Sequence, residues 1–261
     1  MKIESKRLDE KVPLIEPSAR EIAAFILQGR PEMLEVFSDV LVGCSKYTGN
    51  TFVNEKIVKS IERYKYLYPE IAQDIEHLKD LMWEYFSYLD DYKLDALIKE
   101  NSDYSNNMSS EQQKLNKLRG TLCEVLVEEI IRPRYINAGF DTGCMVILNG
   151  EKIISYYENK PRNTIDIAAY RDSEGEFYEC KLTPYSLDHK SYVYLDALER
   201  RLGSEKGFKC IVACVTLGTK EGLKNAQMRI EEDLAIHNKN IRLYGKKNVL
   251  QLKRSPFNEA I

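Results

Sequence analysis

The chain has 261 residues, 43% of them hydrophobic, enough for one large domain or two small ones and too apolar for wholesale disorder. Its net charge of -3 hides an uneven distribution: residues 1–178 carry 23 Lys+Arg against 31 Asp+Glu, and residues 179–261 carry 15 against 10. No apolar run approaches the roughly 18–20 residues of a membrane span, and the opening MKIESKRLDEKV lacks the apolar stretch of a secretion signal, so the expected setting is soluble and cytoplasmic, with no membrane partner.

Residues 1–13 read as a polar arm. Ser18 and Glu21 form a capping-box pattern ahead of Ile22, Ala23, Phe25 and Ile26, so a helix is predicted there. Pro31 suits the first turn of a second helix carrying Met33, Leu34, Phe37 and Val40. From Asn54 to about Lys99 the apolar spacing is helical, with a break near Pro69, and Leu78, Met82, Tyr85 and Leu89 share one side. The polar run Asn101–Ser110 is the linker candidate. These features divide the chain into an all-helical domain at 1–109 and a second domain at 110–261.

The second domain opens with a long helix to about Tyr135, started by a capping box at Ser110 and Gln113. The period then changes. Met145–Leu148, the turn Asn149-Gly150 and Lys152–Tyr157 predict a hairpin. Thr164–Tyr170 and Glu176–Leu182 predict two more strands around a turn at 172–175. A helix over 186–202, an apolar strand over 208–217, a helix over 220–237 and short strands at 241–244 and 249–252 complete the pattern. The fold class is α/β, a mixed central sheet flanked by helices.

Six cysteines include no CxxC pair, and His77, His189 and His237 lie far apart, so free thiols in a reducing compartment are expected rather than a zinc site. The informative residues are Asp166, Glu179 and Lys181. Alternation along a strand points Glu179 and Lys181 to one face and Cys180 to the other. If the strands on either side of 172–175 pair, Asp166 joins them. Three charged groups among Ile165, Ile167, Phe177, Tyr178 and Leu182 call for a partner, because unpaired charge is seldom buried. A hard divalent cation is such a partner, since Mg²⁺ takes one or two carboxylates together with a substrate phosphate.

Asp166, twelve residues, then Glu179-Cys180-Lys181 resembles the bipartite signature of the PD-(D/E)xK phosphodiesterase superfamily, which includes many restriction endonucleases and junction resolvases. The order of predicted elements over 110–217 follows the same pattern; Ile165 stands where the family name has proline, and residues 1–109 lie outside the resemblance. The resemblance implies a restriction-endonuclease-like sheet and a metal-dependent endonuclease. Asp166 and Glu179 would be metal ligands for Mg²⁺, with Mn²⁺ as a substitute, and Lys181 would act on water or phosphate. It also implies a helix glutamate as a further ligand: Glu124, in Gly120-Thr-Leu-Cys-Glu124, is the first candidate and Glu128, one turn on, the second. Lys190 is an auxiliary candidate on the following helix. The substrate expected is nucleic acid, DNA ahead of RNA, in restriction or antiphage defence. Expected partners are a second copy of the chain or an ATPase, helicase or sensor subunit. The competing reading is a non-catalytic assembly subunit built on a nuclease-like core.

Overall fold

The computed structural model describes residues 2–7, 13–47, 49–94 and 108–257, and the chain divides into two units. Residues 11–126 form one unit whose described elements are helices; residues 1–10 and 127–261 form the other, around a sheet.

The helical unit contains α1 (Glu16–Gln28), α2 (Pro31–Gly43), α3 (Asn50–Leu67), α4 (Ala72–Phe86) and most of α5 (Ser110–Ile131). Prolines start the first two, in the first turn where a missing N–H costs nothing. The capping box expected at Ser18 does not form, because Pro17 draws the start of α1 back to Glu16. The cap expected from Ser110 falls to its neighbour: Ser109 Oγ accepts the Gln112 N–H at 3.2 Å. The break near Pro69 is a 3-10 turn, Pro69–Ile71. Leu78, Met82, Tyr85 and Leu89 are all buried, as their spacing predicts. Two buried cations meet carbonyls near helix ends: Lys114 Nζ donates to Leu89 O at 2.6 Å and Arg119 Nε to Leu41 O at 2.9 Å.

The sheet unit holds β1 (Ile3–Arg7), β2 (Gly139–Leu148), β3 (Glu151–Lys152), β6 (Ile165–Tyr170), β7 (Glu174–Lys181), β8 (Lys209–Thr216) and β9 (Arg242–Tyr244). Their order is β1-β2-β6-β7-β8-β9, with β3 also on β2. Pairing is antiparallel from β1 to β7 and parallel from β7 to β9, a mixed sheet. A separate two-stranded ribbon joins β4 (Ser155–Tyr157) to β5 (Lys160–Arg162). Helices α6 (His189–Gly203) and α7 (Lys220–Leu234) supply Tyr194, Leu195, Leu198, Leu223 and Ile230 to a buried cluster with Phe177, Val212 and Cys214 of the sheet. The strand expected at 208–217 is the innermost parallel strand, buried from Ile211 to Thr216.

Expectations change at four places, and a fifth falls outside the described residues. Residues 3–7 are not a polar arm but pair along their length with β2, from Ile3↔Leu148 to Arg7↔Cys144; backbone pairing at an open edge does not require apolar side chains. The unit boundary lies inside α5, between Leu126 and Val127, not at 109/110, because Leu115, Leu118 and Leu122 are buried with the helical unit. The linker expected at 101–110 lies, as far as residue 107, outside the described residues. Val249–Leu252 is no strand: Val249 and Leu252 are buried three residues apart, the spacing of the 3-10 turn Val249–Lys253. The second arm of the hairpin at Asn149-Gly150 also divides, into β3 on the main sheet and β4 on the ribbon. Gly139 starts β2, where a Cβ would stand 2.5 Å from the Tyr170 ring.

Candidate active site

The β6–β7 hairpin is built by a tight turn in which Arg171 N–H donates to Glu174 O at 2.8 Å. Its register runs from Tyr170↔Gly175 to Ile167↔Tyr178, which makes Asp166 and Glu179 the next opposed pair. Asp166 Oδ2 accepts the Cys180 N–H at 2.6 Å, so its carboxylate is folded on to β7. Lys181 Nζ lies 2.7 Å from Glu179 Oε1. Glu179 is 1% exposed and stands beside Cys214 of β8 in the parallel register. The structure therefore brings Asp166, Glu179 and Lys181 together at the end of β7.

A fourth charged residue completes the group. Arg162, the last residue of β5, donates Nη2–H to Glu179 Oε1 at 2.5 Å and Nη1–H to Ser191 Oγ at 2.9 Å. Ser191 lies in the first turn of α6, whose cap Asp188 accepts the Ser191 N–H at 2.7 Å. Burial alone would push the Glu179 carboxyl up; the Lys181 and Arg162 charges outweigh it and hold the group below the usual carboxylate range. Burial would lower Lys181, yet Glu179 and Asp166 raise it above the ordinary lysine value. Lys181 thus keeps its proton at any physiological pH. Although desolvation pushes the other way, Asp188 is held down by its bonds to Ser191, with Lys181 and Arg162 adding to the effect.

Sequence reasoning missed Arg162, Asp188 and Ser191. The available signal was Glu158-Asn159 between Tyr156-Tyr157 and Lys160-Pro161-Arg162, since both turn residues take positive φ, 50° and 61°. The two helix glutamates fall in different units. Glu124 lies in the helical unit, where its charge is felt by the buried Tyr85 hydroxyl. Glu128 belongs to the sheet unit, is fully buried and is paired with Arg132. Among the described residues, no cluster of three or more His, Cys, Asp or Glu side chains is gathered that could hold a metal ion. What the hairpin gathers is a carboxylate pair. Lys190 occupies the second position of α6, half-buried, and it is Arg162 that supplies the extra cation at Glu179. His189, not expected as a ligand, lies 3.0 Å from Asp233 Oδ2 and stacks on Tyr157.

No family model and no curated protein matches this chain in sequence. Asp166 and Glu179 offer the hard oxygen donors that Mg²⁺ prefers. Glu179 Oε2 is buried without a hydrogen-bond partner, although its twin Oε1 has two cations. An ionised carboxylate oxygen in that position fits a cation ligand.

The other face of β7 carries a second buried acid. Glu176 is 0% exposed; Arg134 grips both of its oxygens, with Nη2 2.7 Å from Oε2. Tyr135 OH donates to Glu176 Oε1 at 2.6 Å and Tyr178 OH donates to Oε2. Every acceptor here is used.

Proposed function

We propose that this chain is a divalent-metal-dependent nuclease of the PD-(D/E)xK type, hydrolysing phosphodiester bonds in DNA. Its sheet unit would be restriction-endonuclease-like. The observation that carries the reading is the convergence of Asp166, Glu179 and Lys181 at the end of β7, with Glu179 buried and Asp166 and Lys181 partly exposed. The element order supports it: helix α5, the β6–β7 hairpin with the signature, helix α6, then the parallel strand β8. The excess of Lys+Arg over Asp+Glu in 179–261, 15 against 10, supports phosphate as a ligand.

Asp166 and Glu179 would hold the metal, Mg²⁺ or Mn²⁺. When bound, the cation supplies Lewis-acid polarisation of the phosphodiester and an activated water. The Glu179 and Asp166 charges favour a protonated Lys181, whose ammonium would orient the attacking water and offset the charge that builds on phosphorus. Burial of the group strengthens each of these interactions, because little water screens them. No helix among the described residues is long and apolar enough to cross a membrane. In the helical unit, Tyr66 (87% exposed) and Trp83 (44%) offer apolar surface to the second copy or partner subunit that this reading includes.

The test is an incubation with plasmid, linear DNA and RNA in Mg²⁺ or Mn²⁺, with chelator as control. DNA should be cut only with metal. Glu179→Gln should lower the rate by about 10²–10³ or more. Lys181→Ala should remove turnover and leave Mn²⁺ binding in place. Intact substrates in every metal-containing reaction, or a Glu179→Gln protein as fast as the wild type, would sink the reading.

A further inference from the structure

Arg162 is held in an unusual way. Its backbone pairs in the main chain ladder only with β4, through Ser155↔Arg162, on a ribbon separate from the seven-stranded sheet. Its guanidinium nevertheless reaches Glu179 and Ser191. Glu179 Oε1 thereby receives two full positive charges, one from Arg162 and one from Lys181, while Oε2 receives none. Lys181 alone would balance Glu179. It is also fixed to its partner by the strand they share, two residues apart on one face. Arg162 is fixed to Glu179 by its side chain alone.

The surroundings are incompletely satisfied. Among the described residues, buried side-chain atoms with no hydrogen-bond partner gather here: Arg162 Nε, Glu179 Oε2 and Ser155 Oγ. Buried polar atoms left in this state are rare in proteins, and their concentration here marks an arrangement that favours exchange of partners. Arg162 has somewhere to go. Ser191 Oγ already accepts one of its N–H groups, and Asp188, the cap of α6, lies close enough to feel its charge.

We propose that Arg162 is a tethered counter-ion that competes with a divalent cation for Glu179, so that the β4–β5 ribbon sets the metal affinity of the site. The proposal rests on the nuclease reading above for the identity of the site, but it concerns binding and not turnover. A guanidinium and a divalent cation on one carboxylate repel each other strongly in a buried setting. The metal-loaded state therefore requires Arg162 to let go of Glu179 and to lean on Ser191 and Asp188. Arg162 acts through Glu179 and is a positioning residue. Movement of the ribbon, for example when its exposed Tyr156 meets a substrate, would then alter how tightly the site holds its metal.

The experiment measures Mn²⁺ binding to the full-length protein by calorimetry, with no substrate present. Arg162→Gln keeps hydrogen-bonding capacity without the charge, and Arg162→Lys keeps the charge. Circular dichroism and thermal melting confirm that each variant is folded. Arg162→Gln should bind Mn²⁺ about tenfold more tightly than the wild type or better, and Arg162→Lys should stay near the wild-type value. An Arg162→Gln protein that binds Mn²⁺ equally or more weakly overturns the competition and leaves the nuclease reading standing. Absence of Mn²⁺ binding in the wild type and both variants overturns the metal site itself, and this inference with it. Should Arg162→Gln fail to fold, Ser191→Ala gives the second route. It removes the alternative anchor of the guanidinium and should weaken Mn²⁺ binding; unchanged or tighter binding counts against the proposal.

Discussion

Glu176 and Glu179 stand three residues apart on β7, 0% and 1% exposed, on opposite faces of one strand. Around Glu176 every acceptor is answered: Arg134 takes both oxygens and two tyrosine hydroxyls add to them. Around Glu179 two cations crowd one oxygen and the other has no donor. Both are buried acids paired with arginine, so burial and charge alone do not separate them. The difference is saturation. A carboxylate with both oxygens bonded is a finished structural joint, whereas one bonded through a single oxygen retains capacity for a further ligand.

The comparison can be broken most severely at Glu176. Glu176→Gln leaves the Arg134 guanidinium half-buried without its counter-charge, and breaking such a pair costs about 3–5 kcal/mol. Denaturant unfolding should show that loss, while metal binding per folded molecule stays at the wild-type level. A smaller loss comes from Tyr178→Phe, which deletes one hydrogen bond to a charged acceptor, worth about 1.5–3 kcal/mol. An unchanged unfolding midpoint in that variant would mean that the Glu176 group is not the joint described here.

Acid titration sharpens the contrast from the other side. The folded Glu179 carboxyl titrates below its unfolded value, about 4.3 for a free glutamate. Its contribution to stability is thus complete above that pH and is lost as pH falls through the lower folded value. The stability gap between the wild type and Glu179→Gln should therefore be constant near neutrality and close progressively below pH ~4. A gap independent of pH down to acid unfolding would contradict the pairing. The smallest effect expected is that of Tyr194→Phe. Its buried hydroxyl has no side-chain partner and only the Val146 backbone beside it, so removing it should cost about 1 kcal/mol or less. A loss equal to that of Tyr178→Phe would show that the hydroxyl is engaged.

Much of the hairpin was legible because two rules act together there. Strand alternation put Glu179 and Lys181 on one face, and antiparallel pairing across a short turn put Asp166 opposite. Both rules are local. Arg162 was not legible for the complementary reason. It reaches Glu179 from a three-residue strand whose turn uses Glu158 and Asn159 rather than glycine, and no periodicity can show in so short a segment. The same holds for β1, whose sequence IESKR carries one apolar residue and whose partner lies far along the chain. The choice of helix glutamate was open on a different ground. Helical periodicity gives the face a residue occupies but not which neighbour covers it, and α5 changes neighbours between Leu126 and Val127. The strand expected at 249–252 shows the limit of short apolar patterns, since buried positions three apart suit a 3-10 turn as well as any strand.

The pairing of β1 with β2 has a consequence for how the protein is made. Residues 11–126 are inserted between two strands that lie side by side, Ile3–Arg7 and Gly139–Leu148. At a synthesis rate of about 5–20 residues per second, β1 waits on the order of ten seconds for its partner to leave the ribosome. The helical insert, rich in local contacts, can fold within that interval. A folded insert is a short tether, whereas an unfolded one is a long loop whose closure carries an entropic penalty. The edge of the sheet is then sealed by a strand translated well before its partner, and until it docks β2 presents an unpaired backbone on which neighbouring nascent chains can pair.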